Sequence, residues 1–99
     1  MNHYPKVSIV SINYNQPQVT AEMIRSLQQI TYPDFEIIIV DNGSPQHTCK
    51  EIEHEFNNVN FIYLDKNLGF AGGNNEGFKH ATGKYILMLN NDTEVDKDF

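Results

Sequence analysis

The chain has 99 residues, 39% of them hydrophobic and 20% charged, with 6 glycines and 4 prolines; this excludes a disordered tract or fibrous repeat and suits one small globular core. Its 13 acidic and 7 basic side chains give a formal net charge of −6. That charge argues against nucleic acid or an acidic membrane surface as partner, and an anionic ligand would need local help from a cation or oriented N–H groups.

Residues 1–6 contain no apolar stretch of the kind that heads a secretory signal, and no run approaches the roughly 20 apolar residues of a membrane span. One cysteine, Cys49, permits neither an internal disulfide nor a cysteine-rich zinc site. The expected location is the cytoplasm, with peripheral membrane attachment open to a longer form of the protein.

Residues 7–12 are rich in β-branched apolar side chains on successive positions, the pattern of a strand buried on both faces. Val19, Met23, Leu27 and Ile30 then recur at steps of four, four and three behind Pro17, which predicts an amphipathic helix. Residues 35–40 repeat the strand pattern. After Ser44 and Pro45, the spacing of Cys49, Ile52 and Phe56 predicts a second crossover helix.

A third strand is predicted over 61–64 and a fourth over 85–89. Between them, residues 68–77 hold four glycines and two asparagines, a poor helix composition in which only Phe78 and Ala81 resume an apolar face. The order is β-α-β-α-β-α-β, an open, mainly parallel, Rossmann-like α/β sheet in one domain over residues 1–99. Asp96 to Phe99 supply nothing to cover the fourth strand. An open edge is therefore expected, together with continuation of the native polypeptide or self-association through that edge.

In such a sheet the ligand crevice lies outside the carboxyl ends of the strands. Here each end is polar: Asn13, Tyr14 and Asn15; Asp41, Asn42, Gly43 and Ser44; Asp65, Lys66, Asn67, Leu68 and Gly69; Asn90, Asn91, Asp92, Thr93 and Glu94. Taken singly, these are turn and cap residues. Collected at one edge, they also form a candidate site.

Asp41 could accept from a ribose or a pyrimidine N–H, or cap the second helix. Tyr14 and Asn15 could stack on and bond a base, or Tyr14 could cover core. Asn90 and Asp92 alternate onto one side and offer hard oxygen donors for Mg²⁺ or Mn²⁺ bridging a diphosphate; the plain alternative is an acidic turn. His3, His47, His54 and His80 have no metal-like spacing, and Cys49 reads as a small core residue.

The strings VSIVSINYN at 7–15, IVDNGS at 39–44, NLGFAGGNNEG at 67–77 and YILMLNND at 85–92 resemble, in order and distance, the motif series of family 2 glycosyltransferases, with rhamnosyltransferase-like members the nearest in pattern. The resemblance implies the amino-terminal, nucleotide-binding half of a GT-A fold. It implies a nucleoside-diphosphate sugar donor, UDP-, GDP- or dTDP-linked, whose sugar passes with inversion to a saccharide or lipid-linked acceptor in cell-surface polysaccharide synthesis.

By the same resemblance Tyr14 and Asn15 would meet the base or ribose, Asp41 the base, and Gly43, Asn67 and Gly69 the nucleotide edge. Asn75 would meet the donor, and Asn90 and Asp92 the metal and diphosphate, with Asp92 the metal ligand. Asn90 stands where the family's motif usually begins with Asp, which loosens the metal expectation. No residue matches the family's catalytic base, expected beyond Phe99, so the 99 residues alone are expected to be inactive.

Two other classes fit the sheet less well. A nucleotidyltransferase would want a basic, glycine-rich loop after the first strand, where residues 13–18 hold no Lys or Arg. A non-catalytic flavodoxin-like or response-regulator-like module would want a fifth strand and an acidic pair where Asn13 and Asn15 stand.

Overall fold

A computed structural model describes residues 4–93 and 95. Four strands form one parallel sheet in the order β3-β2-β1-β4: β1 is Val7–Asn13, β2 Phe35–Asn42, β3 Val59–Leu64 and β4 Tyr85–Met88. The register runs from Val7↔Phe35 to Asn13↔Asp41 between β1 and β2, and from Val7↔Tyr85 to Val10↔Met88 between β1 and β4. Ile38, Ile39, Val40 and Val10 are almost fully buried, as expected for central parallel strands covered on both faces.

Helix α1, Pro17–Leu27, buries Thr20, Ala21, Met23, Ile24 and Leu27. It covers the face that carries Ile9, Ile37 and Ile39. Each such fully buried aliphatic side chain contributes about 1.5–3 kcal/mol relative to its exposed state. Val19 lies at the margin of this stripe, not at its centre.

The second crossover corrects the sequence expectation. Cys49, Ile52 and Phe56 are buried against the same face, but the backbone beneath them forms two 3₁₀ turns, Cys49–Glu51 and Glu53–Glu55, and no α-helix. Ile52, with φ −121°, breaks the run between them. Burial fixes where three apolar side chains must go, and short i→i+3 turns satisfy that as well as an α-helix does. Arg25 clamps the second turn to α1 through paired 2.6 Å hydrogen bonds to Glu55.

The third crossover is helical, as the β-α-β-α-β-α-β order requires, and despite its composition the glycine-rich stretch itself lies within the twelve-residue helix α2, Gly69–His80. It covers the opposite face of the sheet. A β-carbon on Gly77 would stand 2.5 Å from Val10 Cγ1 and 3.2 Å from Val40 Cγ2, and one on Gly73 2.9 Å from Ile12 Cδ1. A propensity cost of about 1 kcal/mol per glycine is offset by this close seating of helix on sheet. Asn42 holds the helix start, accepting from Leu68 N–H and donating to the Gly69 carbonyl, both at 3.0 Å.

At the amino end of the sheet, Glu36 gathers β1, β2 and the turn before β4. Its Oε2 accepts from Ser8 Oγ at 2.5 Å, Thr82 N–H at 2.7 Å and Thr82 Oγ1 at 3.0 Å. Among the described residues β4 pairs only with β1, and Tyr85, Ile86 and Met88 are about half exposed. No helix among those residues is long and apolar enough to cross a membrane.

Candidate functional site

β1 has β2 on one side and β4 on the other, so the chain reverses its direction of travel across the sheet between β1 and β4. Loops leaving two such strands diverge to opposite faces and leave a crevice at their carboxyl ends. A cavity of about 450 Å³ lies there, lined among others by Tyr14, Phe70, Asn74, Met88, Asn90 and Asp92.

Tyr14 follows the last residue of β1 and keeps its ring 45% exposed. Asn90 and Asp92 stand in the turn after β4, closed by Thr93 N–H donating to the Asn90 carbonyl at 3.1 Å. Both side chains are exposed. Glu94, considered with them from the sequence, lies outside the described residues.

Asn74, which the sequence reading passed over, also lines this cavity. It is only 5% exposed, and its Nδ2 has no hydrogen-bond partner among the described residues. An unpaired buried amide costs about 1–3 kcal/mol, so the group is poised to donate to something that enters. The available signal was helical phase: Gly73 and Gly77 mark the seated face of α2, which turns Asn74 toward β4. Asn75 is exposed and does not line the cavity.

The remaining candidates form a second group that knits the loops together. Asp41 is 2% exposed; its carboxylate accepts from Ser44 Oγ at 2.5 Å and from Cys49 N–H at 2.7 Å. This is the capping arrangement, made to a 3₁₀ turn. Asn15, at φ 59°, accepts on Oδ1 from His47 N–H at 2.8 Å and Gln46 N–H at 3.2 Å.

Gly43, at φ 69°, passes against the backbone of Lys66 and Asn67. Asn67 Oδ1 accepts from Gly69 N–H at 2.7 Å, and Gly69, at φ 77°, faces open space. Tyr14, Asn90 and Asp92 therefore meet around the cavity, whereas Asn15, Asp41, Gly43, Asn67 and Gly69 build the adjoining loops.

A polar chain links the two groups. Asn91 Nδ2 donates to Thr20 Oγ1 at 3.2 Å, Thr20 Oγ1 donates to Asn13 Oδ1 at 2.8 Å, and Asn13 Nδ2 donates to Ser44 Oγ at 3.4 Å. Asn13, Ser44 and Asn91 were legible from the sequence only as polar strand-end residues, and Thr20 was not singled out. Their signal is weak, because Thr20 and Ser44 are common cap and helix residues.

Cys49 is buried in the core, and that burial pushes its thiol up, with Asp41 adding to the effect. His47 pairs with Glu51 at 3.0 Å; His3 lies outside the described residues. Among the described residues no three His, Cys, Asp or Glu side chains gather as a ready-made metal cluster. Asp92 with neighbouring amide oxygens is instead the sort of sparse donor set that holds Mg²⁺ or Mn²⁺ together with ligand phosphates.

An open parallel sheet with its crevice at the strand-order reversal defines a Rossmann-like α/β domain, and the architecture is the amino-terminal portion of a GT-A fold. The family model described as glycosyl transferase family 2 matches residues 8–99. The chain belongs to that family.

Among curated relatives, it is 35% identical over 95 residues to poly-beta-1,6-N-acetyl-D-glucosamine synthase of Staphylococcus epidermidis, covering 93% of this chain and 23% of that protein. Among solved structures, S. aureus TarS 1-349 in complex with UDP is 28% identical with a TM-score of 0.83, over 94% of this chain and 29% of that one. The mannosyltransferase PcManGT from Pyrobaculum calidifontis, in complex with GDP-Man and Mn2+, is 20% identical with a TM-score of 0.81, over 93% of this chain and 29% of that one; it bears on the fold alone. The chain spans about a quarter of the length of the first of these relatives.

Proposed function

We propose that this chain binds a nucleoside-diphosphate sugar in the crevice between β1 and β4, as the donor-binding part of an inverting glycosyltransferase acting on a saccharide or lipid-linked acceptor. The observation that carries the reading is the cavity itself. It combines an exposed aromatic ring on Tyr14, an unpaired buried amide on Asn74 and a carboxylate on Asp92.

The tyrosine ring offers a stacking surface for a base or sugar. Asn74 Nδ2 would donate to a diphosphate or sugar oxygen and so recover the bond it lacks. Asp92 repels a diphosphate unless a divalent cation lies between them, and Asn90 and Asp92 would hold such a cation through their oxygens. A bound Mn²⁺ or Mg²⁺ would supply Lewis-acid neutralisation of the leaving diphosphate. TarS, solved with UDP and with UDP-GlcNAc, supports uridine nucleotides as the first to try.

The domain is proposed to continue beyond the 99 residues, and the base that activates the acceptor is proposed to lie there. Asp92 is the one carboxylate lining the cavity among the described residues. It is already assigned to the cation.

Calorimetric titration of the purified chain, shown folded by circular dichroism, with UDP, GDP and dTDP with and without Mn²⁺ tests the reading. Binding of a diphosphate that strengthens with Mn²⁺ is expected. A folded sample that binds none of the three refutes it, and sugar transfer by the chain alone refutes the placement of the base.

A further inference from the structure

The polar chain behind the cavity has a direction, and its direction can be deduced. Asn15 N–H, a backbone group that can only donate, gives its proton to Ser44 Oγ at 2.9 Å. Asp41, acceptor-only when ionised, takes the Ser44 hydroxyl proton at 2.5 Å. Ser44 Oγ therefore has only lone pairs to offer Asn13, which must present Nδ2 to it.

Asn13 is then left with Oδ1 facing Thr20. That obliges the Thr20 hydroxyl to donate at 2.8 Å, and Thr20 Oγ1 can only accept from Asn91 Nδ2 at 3.2 Å. Gln16 Oε1, 3.4 Å away, takes a second bond from the same nitrogen. Asn13 and Thr20 are fully buried, so water does not compete at the centre of the chain. The orientation of the Asn91 carboxamide is thus set from the β2 loop.

We propose that Asn91 is a positioning residue, tying the turn that carries Asn90 and Asp92 to Asp41 through Thr20, Asn13 and Ser44, so that this turn and the loop after β2 are placed as one unit. Asn91, which lines the cavity together with Asn90 and Asp92, is anchored toward α1 by its bonds to Thr20 and Gln16, and that holds the turn on which Asn90 and Asp92 stand. The relay acts on position and makes no contact with the reacting atoms.

This rests on the donor-binding reading, and the experiment separates the two. The purified protein and its Asn91→Ala, Thr20→Val and Thr20→Ser variants are titrated with UDP, with and without Mn²⁺. Asn91→Ala and Thr20→Val are expected to cut the gain in UDP affinity that Mn²⁺ brings by roughly tenfold, and in Thr20→Val, whose side chain is buried away from the cavity, metal-free UDP affinity is held within about twofold. Thr20→Ser, which keeps the hydroxyl, restores the gain. The Asn91→Ala/Thr20→Val double variant loses no more than either single one, as members of one chain should.

Asn91→Asp is the sharpest arm. A carboxylate there adds a ligand for a cation but cannot donate to Thr20; the relay predicts a smaller Mn²⁺ gain, and a larger one overturns it. Equal loss with and without metal in Thr20→Val also overturns it, since general damage to the fold would do that.

A second readout needs no ligand. The Asn13 side-chain NH₂ resonances should shift in Asn91→Ala and Thr20→Val and return in Thr20→Ser, and unchanged resonances overturn the relay. Failure of the unaltered protein to bind UDP would instead sink the donor reading, leaving these resonances to judge the relay.

Discussion

Gly43 lies against Lys66 with no room between them: a β-carbon on the glycine would stand 2.2 Å from the Lys66 carbonyl carbon. The loop after β2 and the loop before α2 touch through bare backbone. Gly43 is also at φ 69°, which L side chains rarely adopt. Gly43→Ala therefore meets strain and collision together and should destabilise the fold by on the order of 2–3 kcal/mol. Urea unfolding measures this, and a loss below about 0.5 kcal/mol, ordinary for a surface change, would show that the loops part easily.

Asp41 and Asp92 are expected to respond differently. Asp41→Ala leaves the buried Cys49 N–H and the Ser44 hydroxyl without their acceptor, which should cost about 2–3 kcal/mol of stability. Asp92 is exposed, so Asp92→Ala should shift stability by no more than about 0.5 kcal/mol while removing the Mn²⁺-dependent part of UDP binding. Thermal unfolding beside UDP titration reads both. A stable Asp41→Ala variant would mean that water replaces the carboxylate.

Asn74 offers a trade between stability and binding. Asn74→Leu fills similar space and removes the unpaired amide, so the ligand-free protein should gain up to about 1–2 kcal/mol. UDP affinity should fall about tenfold, the loss of one good hydrogen bond. Stabilisation with unchanged affinity would remove Asn74 from the binding surface.

Glu36 predicts a pH response. Burial alone would push its carboxyl up, but hydrogen bonds from Ser8 and Thr82, with Lys6 nearby, bring it below the ordinary carboxylate range. An unfolded glutamate titrates near about 4.3, so the stability this group contributes is fully present above that pH. It is lost as pH falls through the lower folded value. Glu36→Gln should be less stable at pH 7 and show a shallower decline between about pH 5 and pH 3. Parallel stability curves for the two proteins would show the cluster to be neutral.

The strands were legible because buried parallel strands need consecutive apolar residues, and β1 and β2 supply them. Helix α1 was legible because Met23 and Leu27 repeat at the helical period. The second crossover was misread because Cys49, Ile52 and Phe56 record which side chains are buried and leave the backbone's hydrogen-bond register undetermined. In α2, composition argued against a helix, whereas Gly73 and Gly77 are where helix and sheet touch.

The site was legible as an edge and less so as a pocket. Asn90 and Asp92 both line the cavity, but so does Asn91 between them, because β4 ends at Met88 and strand alternation does not apply in the turn that follows. Asn74 and Asn75 are adjacent in sequence, yet one helical step of about 100° buries one and exposes the other. Only the seating of Gly73 and Gly77 sets that phase. Thr20 escaped notice, and Ser44 read only as a turn and cap residue, because a hydroxyl carries no pattern until its partners are known.

The seam between β1 and β4 runs only from Val7↔Tyr85 to Val10↔Met88, whereas that between β1 and β2 continues to Asn13↔Asp41. Fraying of the sheet should therefore begin at β4, directly beneath the crevice, and its amides should exchange with deuterium before those of β2. A ligand spanning Tyr14 and Asp92 would staple that seam, so its signature should be slowed exchange in β4 more than a general rise in protection.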